Sequence, residues 1–388
     1  MSPAASGCCC VGANLTYMKT THIKANGIHH KLAYAGAQFN DQANTKNPLI
    51  LFLHGWPDFH FSFRHQLMKC AQHNYFAVAP DMRGYGGTSA PTTTKEYNVY
   101  TLCNDVLGIM HALDYEQCFL VGHDWGAWLA WHMCLIYPDA VVAVCALSVP
   151  YVIHRPKGLL THLKQEYGNC ISGTLQEKQG SRFNYMLHHN LPHAAEEYDK
   201  NVREALYRIY GYIKGVTECD DPEVDTDEMF LLDKKRGKFD GDLTARNAPG
   251  LWKRLPRPKA LPAWIPESDF ERYVSEFEKT GFSGGLHWYQ TPDLNWGLTR
   301  HLNDTKITQP VLFIGGDLDV VIKTHGGAKS VETHLVTSCP RLHKCVMLKG
   351  CGHWVHQEQP DVVTGHLLNF LQSVERKKTF KEHIKSRL

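Results

Sequence analysis

Gln117-Cys118-Phe119-Leu120-Val121-Gly122-His123-Asp124-Trp125-Gly126-Ala127-Trp128 decides how this chain is read. Residues 117–122 form a short apolar run of the length expected for a strand covered on both faces. Trp125 to Tyr137 reads as the helix that follows. Glycines 122 and 126 flank the junction, where the missing side chains permit a sharp strand–turn–helix that presents Asp124 at the end of the strand. On these five central residues alone, a tight turn with an N-capping aspartate explains the pattern equally well.

The same alternation repeats on either side. Pro48–His54, Tyr75–Pro80 and Val141–Leu147 are further buried strands, and Val99–Leu113 has helical periodicity. Leu15–Gly36 resembles two strands joined by a turn at Asn26-Gly27. Strands alternating with helices at this spacing imply an α/β fold, a mostly parallel sheet with helices on both faces. From about Arg155 to Trp296 the chain turns polar and helical, with the Pro-rich stretch Leu255–Pro262. Strands resume at Pro310–Gly315 and Lys344–Leu348, and a helix over Asp361–Val374 precedes a basic tail. The expected organisation is therefore a core of residues 1–154 and 299–388, with an inserted helical cap of 155–298. Such a cap would cover the C-terminal edge of the sheet, where ligands of open α/β sheets bind.

Composition removes several classes. The 388 residues carry 41 Lys+Arg against 39 Asp+Glu, so the basic face of a nucleic-acid or membrane-surface binder is not expected. The longest apolar candidate, Ala140–Ile153, contains Ser148 and Pro150 and falls short of the roughly 20 residues a spanning helix needs. No basic region leads into an apolar run at the N-terminus, so a secretory signal is not expected. The 13 cysteines are odd in number and scattered through apolar segments, which fits buried free thiols in a reducing compartment. A soluble intracellular protein is the expectation.

The chemistry follows from an aspartate at the junction. A carboxylate attacking saturated carbon forms an alkyl ester of the protein, which water can cleave at the aspartate's own carbonyl. The substrate must then carry a leaving group on sp3 carbon, as an epoxide or alkyl halide does. Gly315-Gly316-Asp317-Leu318-Asp319 follows a strand and offers the acid of a triad, with Asp319 preferred to Asp317. Gly350-Cys351-Gly352-His353 follows the last strand, so nucleophile, acid and histidine come in the expected chain order. His353 would activate water, and the acid would orient its ring. His54-Gly55-Trp56-Pro57 supplies a loop whose backbone can face Asp124. The N–H groups of Trp56 and Trp125 are the candidate oxyanion hole, supported by His54, Gly55, Pro57, Gly122, His123 and Gly126. The Gly-rich loop Asp81–Ser89 lacks the Lys-Ser/Thr ending of a phosphate cradle and is read as structural.

Together His-Gly-Trp-Pro, Asp-Met-Arg-Gly-Tyr-Gly, Gly-His-Asp-Trp-Gly and Gly-Cys-Gly-His-Trp resemble the epoxide hydrolases of the α/β-hydrolase fold. The likeness extends to the hydrolase domain of the mammalian soluble enzyme and its single-domain relatives, and runs from about Gly27 to Leu371. The resemblance implies two cap tyrosines that hydrogen-bond the epoxide oxygen. Phe183-Asn184-Tyr185 before Pro192 matches the first, and Gly284-Gly285-Leu286-His287-Trp288-Tyr289, a Trp-Tyr pair after a Gly-rich turn, matches the second, with Asn295-Trp296 also fitting the pattern. An alkoxide left by ring opening is far more basic than phenolate, so such donors suit an epoxide. A departing halide needs no proton. Haloalkane dehalogenases share Asp-Trp at the turn, so Trp125 does not discriminate, whereas Tyr185 and Tyr289 do.

Several other patterns carry less. Asp240-Gly241-Asp242-Leu243-Thr244 matches a phosphatase nucleophile motif, but it lies inside the cap after a run of lysines, with too few residues before the hydrolase likeness for a phosphatase domain. His29-His30 and His188-His189 are adjacent pairs, a spacing that would turn strand neighbours to opposite faces, and no His-Glu-x-x-His occurs among the 24 histidines. No metal or cofactor is expected. Ser386-Arg387-Leu388 resembles a peroxisomal address read by an import receptor, and Cys8-Cys9-Cys10 is a candidate for acylation that is given less weight. The expected function is hydrolysis of lipophilic epoxides, such as epoxy fatty acids and xenobiotic epoxides, to vicinal diols. The alternatives are a haloalkane dehalogenase and a catalytically silent ligand-binding relative.

Overall fold

The computed structural model describes residues 18–40, 45–153, 155–167, 184–212, 218 and 255–385. Cys8–Cys10, Phe183, the Asp240–Thr244 motif and Ser386–Leu388 lie outside them. Eight strands form one sheet: β1 (Lys19–Ala25), β2 (Ile28–Ala35), β3 (Leu49–Leu53), β4 (Phe76–Pro80), β5 (Cys118–His123), β6 (Val141–Leu147), β7 (Val311–Gly316) and β8 (Leu342–Leu348). Their spatial order is β1-β2-β4-β3-β5-β6-β7-β8. β1 pairs antiparallel with β2, and β2 antiparallel with β4; every later pairing is parallel. The hairpin turns at Asn26 (φ 45°) and Gly27 (φ 79°), the two positive φ angles a tight right-twisted hairpin needs.

The apolar runs become central strands because both faces are covered. On β3, Leu49, Leu51 and Leu53 enter one core while Ile50 and Phe52 enter the other. β5 divides the same way, Cys118 and Leu120 against Phe119 and Val121. The alternation follows from the twofold period of a strand between two helical layers. The helices of those layers include α1 (Arg64–Ala71), α2 (Val99–Ala112) and α3 (Trp125–Ile136). Asn98 caps α2 by accepting from the Thr101 amide at 3.1 Å.

Two boundaries differ from expectation. β8 starts at Leu342, before the apolar run, because it is an edge strand whose His343 and Lys344 are exposed. The last helix spans Pro360–Lys385 instead of ending near Val374. Straight-chain Lys, Arg and Glu beyond Val374 are good helix formers and continue it past the apolar pattern.

Between β6 and β7 lie α4 (Leu159–Tyr167), α5 (Tyr185–His189), α6 (Ala194–Asp199), α7 (Val202–Gly211), α8 (Glu267–Thr280), α9 (Ser283–Gln290) and α10 (Pro292–Leu298). This helical layer is tied to the core by polar contacts at its hinges. Asn295 accepts the Val99 amide at 2.8 Å and Trp288 donates its indole N–H to the Arg83 carbonyl at 3.0 Å, while Trp296 donates to the Arg155 carbonyl at 2.9 Å and joins the two ends of the layer itself. No helix among the described residues is long and apolar enough to cross a membrane. Eight cysteines among them are free thiols, and all but Cys345 are buried.

Candidate active site

Asp124 stands between β5 and α3 with φ 53° and ψ −120°. That backbone is uncommon for a residue with a side chain, costs on the order of 1–3 kcal/mol, and is held only because its surroundings leave no alternative. The flanking glycines show why. A Cβ on Gly126 would sit 1.9 Å from the Leu53 carbonyl oxygen, and one on Gly122 would sit 2.3 Å from the Gly126 oxygen. The helix therefore starts directly against the neighbouring strand. Gly55 serves the same close approach, since a Cβ there would meet Asp124 Oδ1 at 2.3 Å. Asp124 makes no capping bond to α3, so the turn-and-cap alternative does not describe it.

The loop after β3 faces the carboxylate. The Trp56 amide donates to Asp124 Oδ1 at 2.9 Å. The Trp125 amide belongs to the first residue of α3, where helical N–H groups have no intrahelical acceptor. His54 braces this loop: its Nδ1 hydrogen bonds the Gly55 carbonyl, and its Nε2 accepts the Met82 amide, both at 2.9 Å. Burial pushes its pKa down to about 4, so it works as a neutral strut. The Trp56–Pro57 bond is cis.

His353 lies between two carboxylates. Its Nε2 is 3.5 Å from Asp124 Oδ2, and its Nδ1 is 3.0 Å from Asp319 Oδ2. Asp319 is buried, and its other oxygen accepts the Val321 amide at 2.8 Å. Asp317 is exposed and accepts the Gly350 amide instead, so the geometry separates the two acids. Burial works against an imidazolium at His353, but the Asp319 and Asp124 carboxylates outweigh it and raise its pKa well above the ordinary value. Burial likewise raises Asp124, yet its hydrogen bond and charge contact with His353 hold it below the usual carboxylate range.

The His353 backbone is pinned from behind. Its carbonyl accepts from Ser148 Oγ at 2.6 Å and from His123 Nε2 at 3.0 Å. Burial lowers the His123 pKa to about 3, so that nitrogen donates as a neutral ring. His123, His356 and Asp58 bring one donor or acceptor atom each to within 4.8 Å of one another. Burial lowers the pKa of both imidazoles and raises that of the Asp58 carboxyl, so it works against charge on each member of this cluster.

Above Asp124 stand the two tyrosines. Tyr185 opens α5, set by Asn184, whose Oδ1 accepts the Met186 and Leu187 amides at 3.0 and 3.3 Å. Tyr289 lies in the last turn of α9, and its ring meets the Trp125 ring at 90° with centroids 5.0 Å apart. The two tyrosine rings are 6.1 Å apart. Burial raises both phenol pKa values, with the Asp124 charge adding to it, so both hydroxyls are neutral donors. Gly284 and Gly285, expected as a turn, are instead the first turn of α9. A Cβ on Gly284 would lie 2.2 Å from the Gly84 oxygen, so the pair lets the helix meet the core backbone.

All proposed site residues thus converge. The Asp81 loop is indeed spent internally: Asp81 Oδ1 accepts the His60 amide at 3.0 Å and Oδ2 the Gly87 amide at 2.9 Å. His29 and His30 do take opposite faces of β2, but His188 and His189 lie on a helix, and both are buried. The sequence carried no signal for Ser148 or for His189, which only the tertiary packing brings to the site.

Three comparisons bear on this geometry. Residues 48–360 match the family model described as alpha/beta hydrolase fold. Epoxide hydrolase A of Mycobacterium tuberculosis is 32% identical over 91% of this chain and 97% of its own length. Epoxide hydrolase 1 of Siraitia grosvenorii is 33% identical over 90% and 97%. Among solved structures, epoxide hydrolase A of Mycobacterium thermoresistibile superposes with a TM-score of 0.76 at 32% identity, covering 92% of this chain and 98% of that one.

Proposed function

The chain belongs to the epoxide hydrolases of the α/β-hydrolase fold, and from that premise we propose that Asp124, His353, Asp319, Tyr185 and Tyr289 perform the reaction. The observation that carries the assignment is His353 bridging Asp124 and Asp319 at 3.5 and 3.0 Å beneath the tyrosine pair. Asp124 Oδ2 bonds to an epoxide carbon as the C–O bond breaks, and a tyrosine gives its proton to the departing oxygen. His353 then takes a proton from water, whose oxygen attacks the ester carbonyl carbon. The charge gathers on Oδ1, opposite the Trp56 and Trp125 amides, which stabilise it without reorganising. Collapse expels the alkoxide, His353 protonates it, and the diol leaves. The proton left on the new Asp124 carboxyl restores the phenol, so water enters and no other proton is consumed.

Residues 155–298 act as the cap over the core of 1–154 and 299–388. Lipophilic epoxides, including epoxy fatty acids and xenobiotic epoxides, are the substrate class supported by the aromatic wall of Trp56, Trp125, Tyr185 and Tyr289. Ser386-Arg387-Leu388 supports a peroxisomal pool beside a cytoplasmic one, in preference to acylation of Cys8, Cys9 or Cys10.

The test is a single turnover of excess enzyme with an epoxide in 18O-water. The label should appear in the peptide containing Asp124 and not in the diol. Label in the diol after that first turnover overturns the ester mechanism. Halide release from a chloroalkane without diol from an epoxide favours the dehalogenase alternative.

A further inference from the structure

We propose that His189 is a positioning residue for ring opening, holding Tyr185 and Tyr289 so that both hydroxyls converge on the epoxide oxygen. The inference rests on the reading of those tyrosines as oxygen donors. His189 lies on α5, one helical turn beyond Tyr185, so the same helix face carries both. It is fully buried, and its ring fills the space shared by three groups of the site. Ring centroids are 4.6 Å to Tyr289, 5.5 Å to Tyr185 and 4.6 Å to Trp56, whose amide holds Asp124. Both tyrosine rings stand nearly perpendicular to it, at 83° and 82°. Perpendicular contacts on two rings at once restrict the swing of both side chains about χ1, and with it the position of each hydroxyl.

The imidazole is itself anchored. Its Nε2 is 2.7 Å from the Tyr198 hydroxyl, a buried phenol packed on Phe282 and Trp56. The phenol and the ring share one hydrogen bond, and burial keeps the ring neutral. Nδ1 has no hydrogen-bond partner among the described residues. A leucine or phenylalanine would pack here without burying that polar atom. What the histidine adds is a ring locked in orientation by one bond, which an apolar side chain lacks.

The two half-reactions separate this role from simple packing. The tyrosines act only in ring opening, whereas hydrolysis of the ester depends on His353 and the two amides. Stopped-flow tryptophan fluorescence with a styrene-oxide-type epoxide gives both rate constants, with Trp56 and Trp125 as reporters at the site. His189→Phe keeps the aromatic volume and should slow alkylation about ten- to a hundredfold, the cost of misplacing a reacting group by about 1 Å. Ester hydrolysis should stay within about twofold. Tyr198→Phe removes only the anchoring bond and should slow the same step to a smaller extent. If His189→Phe does not fold, Tyr198→Phe decides alone. Equal slowing of both steps, or no slowing of alkylation, overturns the proposal. Tyr289→Phe is measured alongside. If it leaves alkylation unchanged, the donor assignment itself fails; if it slows alkylation while the His189 and Tyr198 variants do not, only the positioning role fails.

Discussion

Neutralising Asp124 should lower the pKa of His353, and this coupling is what times the base to the intermediate. In the free enzyme the ring faces Asp124 Oδ2 at 3.5 Å and Asp319 Oδ2 at 3.0 Å, both side chains mostly shielded from solvent. A unit charge at 3.5 Å in an effective dielectric of about 20 interacts with the imidazolium by about 5 kcal/mol. Alkylation of Asp124 removes that charge. The sign is fixed: a carboxylate favours the imidazolium, so its loss lowers the pKa and burial then favours the neutral ring. His353 is thus protonated and idle beside the free nucleophile; once the ester exists it releases that proton to solvent and becomes a base, and it regains one from solvent when the carboxylate is freed. Asp124→Asn reproduces the neutral state in nearly the same volume. The measurement is an imidazole 15N NMR titration of wild type and Asp124→Asn, with His353 assigned by its loss in His353→Gln. An unchanged value, or a rise, would refute this account of the timing.

Further outcomes follow from particular contacts. Asp319→Asn should lower diol turnover about a hundredfold or more, because it leaves His353 without its charged orienting partner, while Asp317→Asn should stay within about twofold. Equal losses in steady-state kcat would remove the distinction between the two acids. Gly126→Ala should cost at least about 3 kcal/mol in urea denaturation, since its Cβ meets backbone that cannot rotate away. Arg83 and Asp105 form a buried two-point ion pair at 2.7 Å for each bond. Arg83→Met should therefore lower stability by about 3–5 kcal/mol, and Arg83→Met with Asp105→Leu should recover part of it, both read by calorimetry.

Much of the fold was legible because its signals are local. Central strands between two helical layers must be apolar on both faces, so β3 to β7 announce themselves as continuous runs. Only the start of the edge strand β8 escaped, because His343 and Lys344 are polar and exposed. The final helix overran its apolar pattern because polar residues with good propensity extend it where no packing is required. Gly284-Gly285 misled for a related reason: the glycines answer to a close approach by Gly84, a residue 200 positions away, and not to a turn.

The sequence by itself located the proposed nucleophile, acid loop and histidine and their chain order, since each sits on a short Gly-containing loop after a strand. It also carried the tyrosines, through a resemblance to relatives. The choice between Asp317 and Asp319 was left to tertiary structure. Two residues apart on one loop, they differ only in what the fold sets against them, the Gly350 amide for one and His353 for the other. The same holds for the pinning of His353 by His123 and Ser148 and for the wedge of His189. Their roles depend on distances of a few ångströms between segments far apart in the chain, which no local pattern of residues encodes.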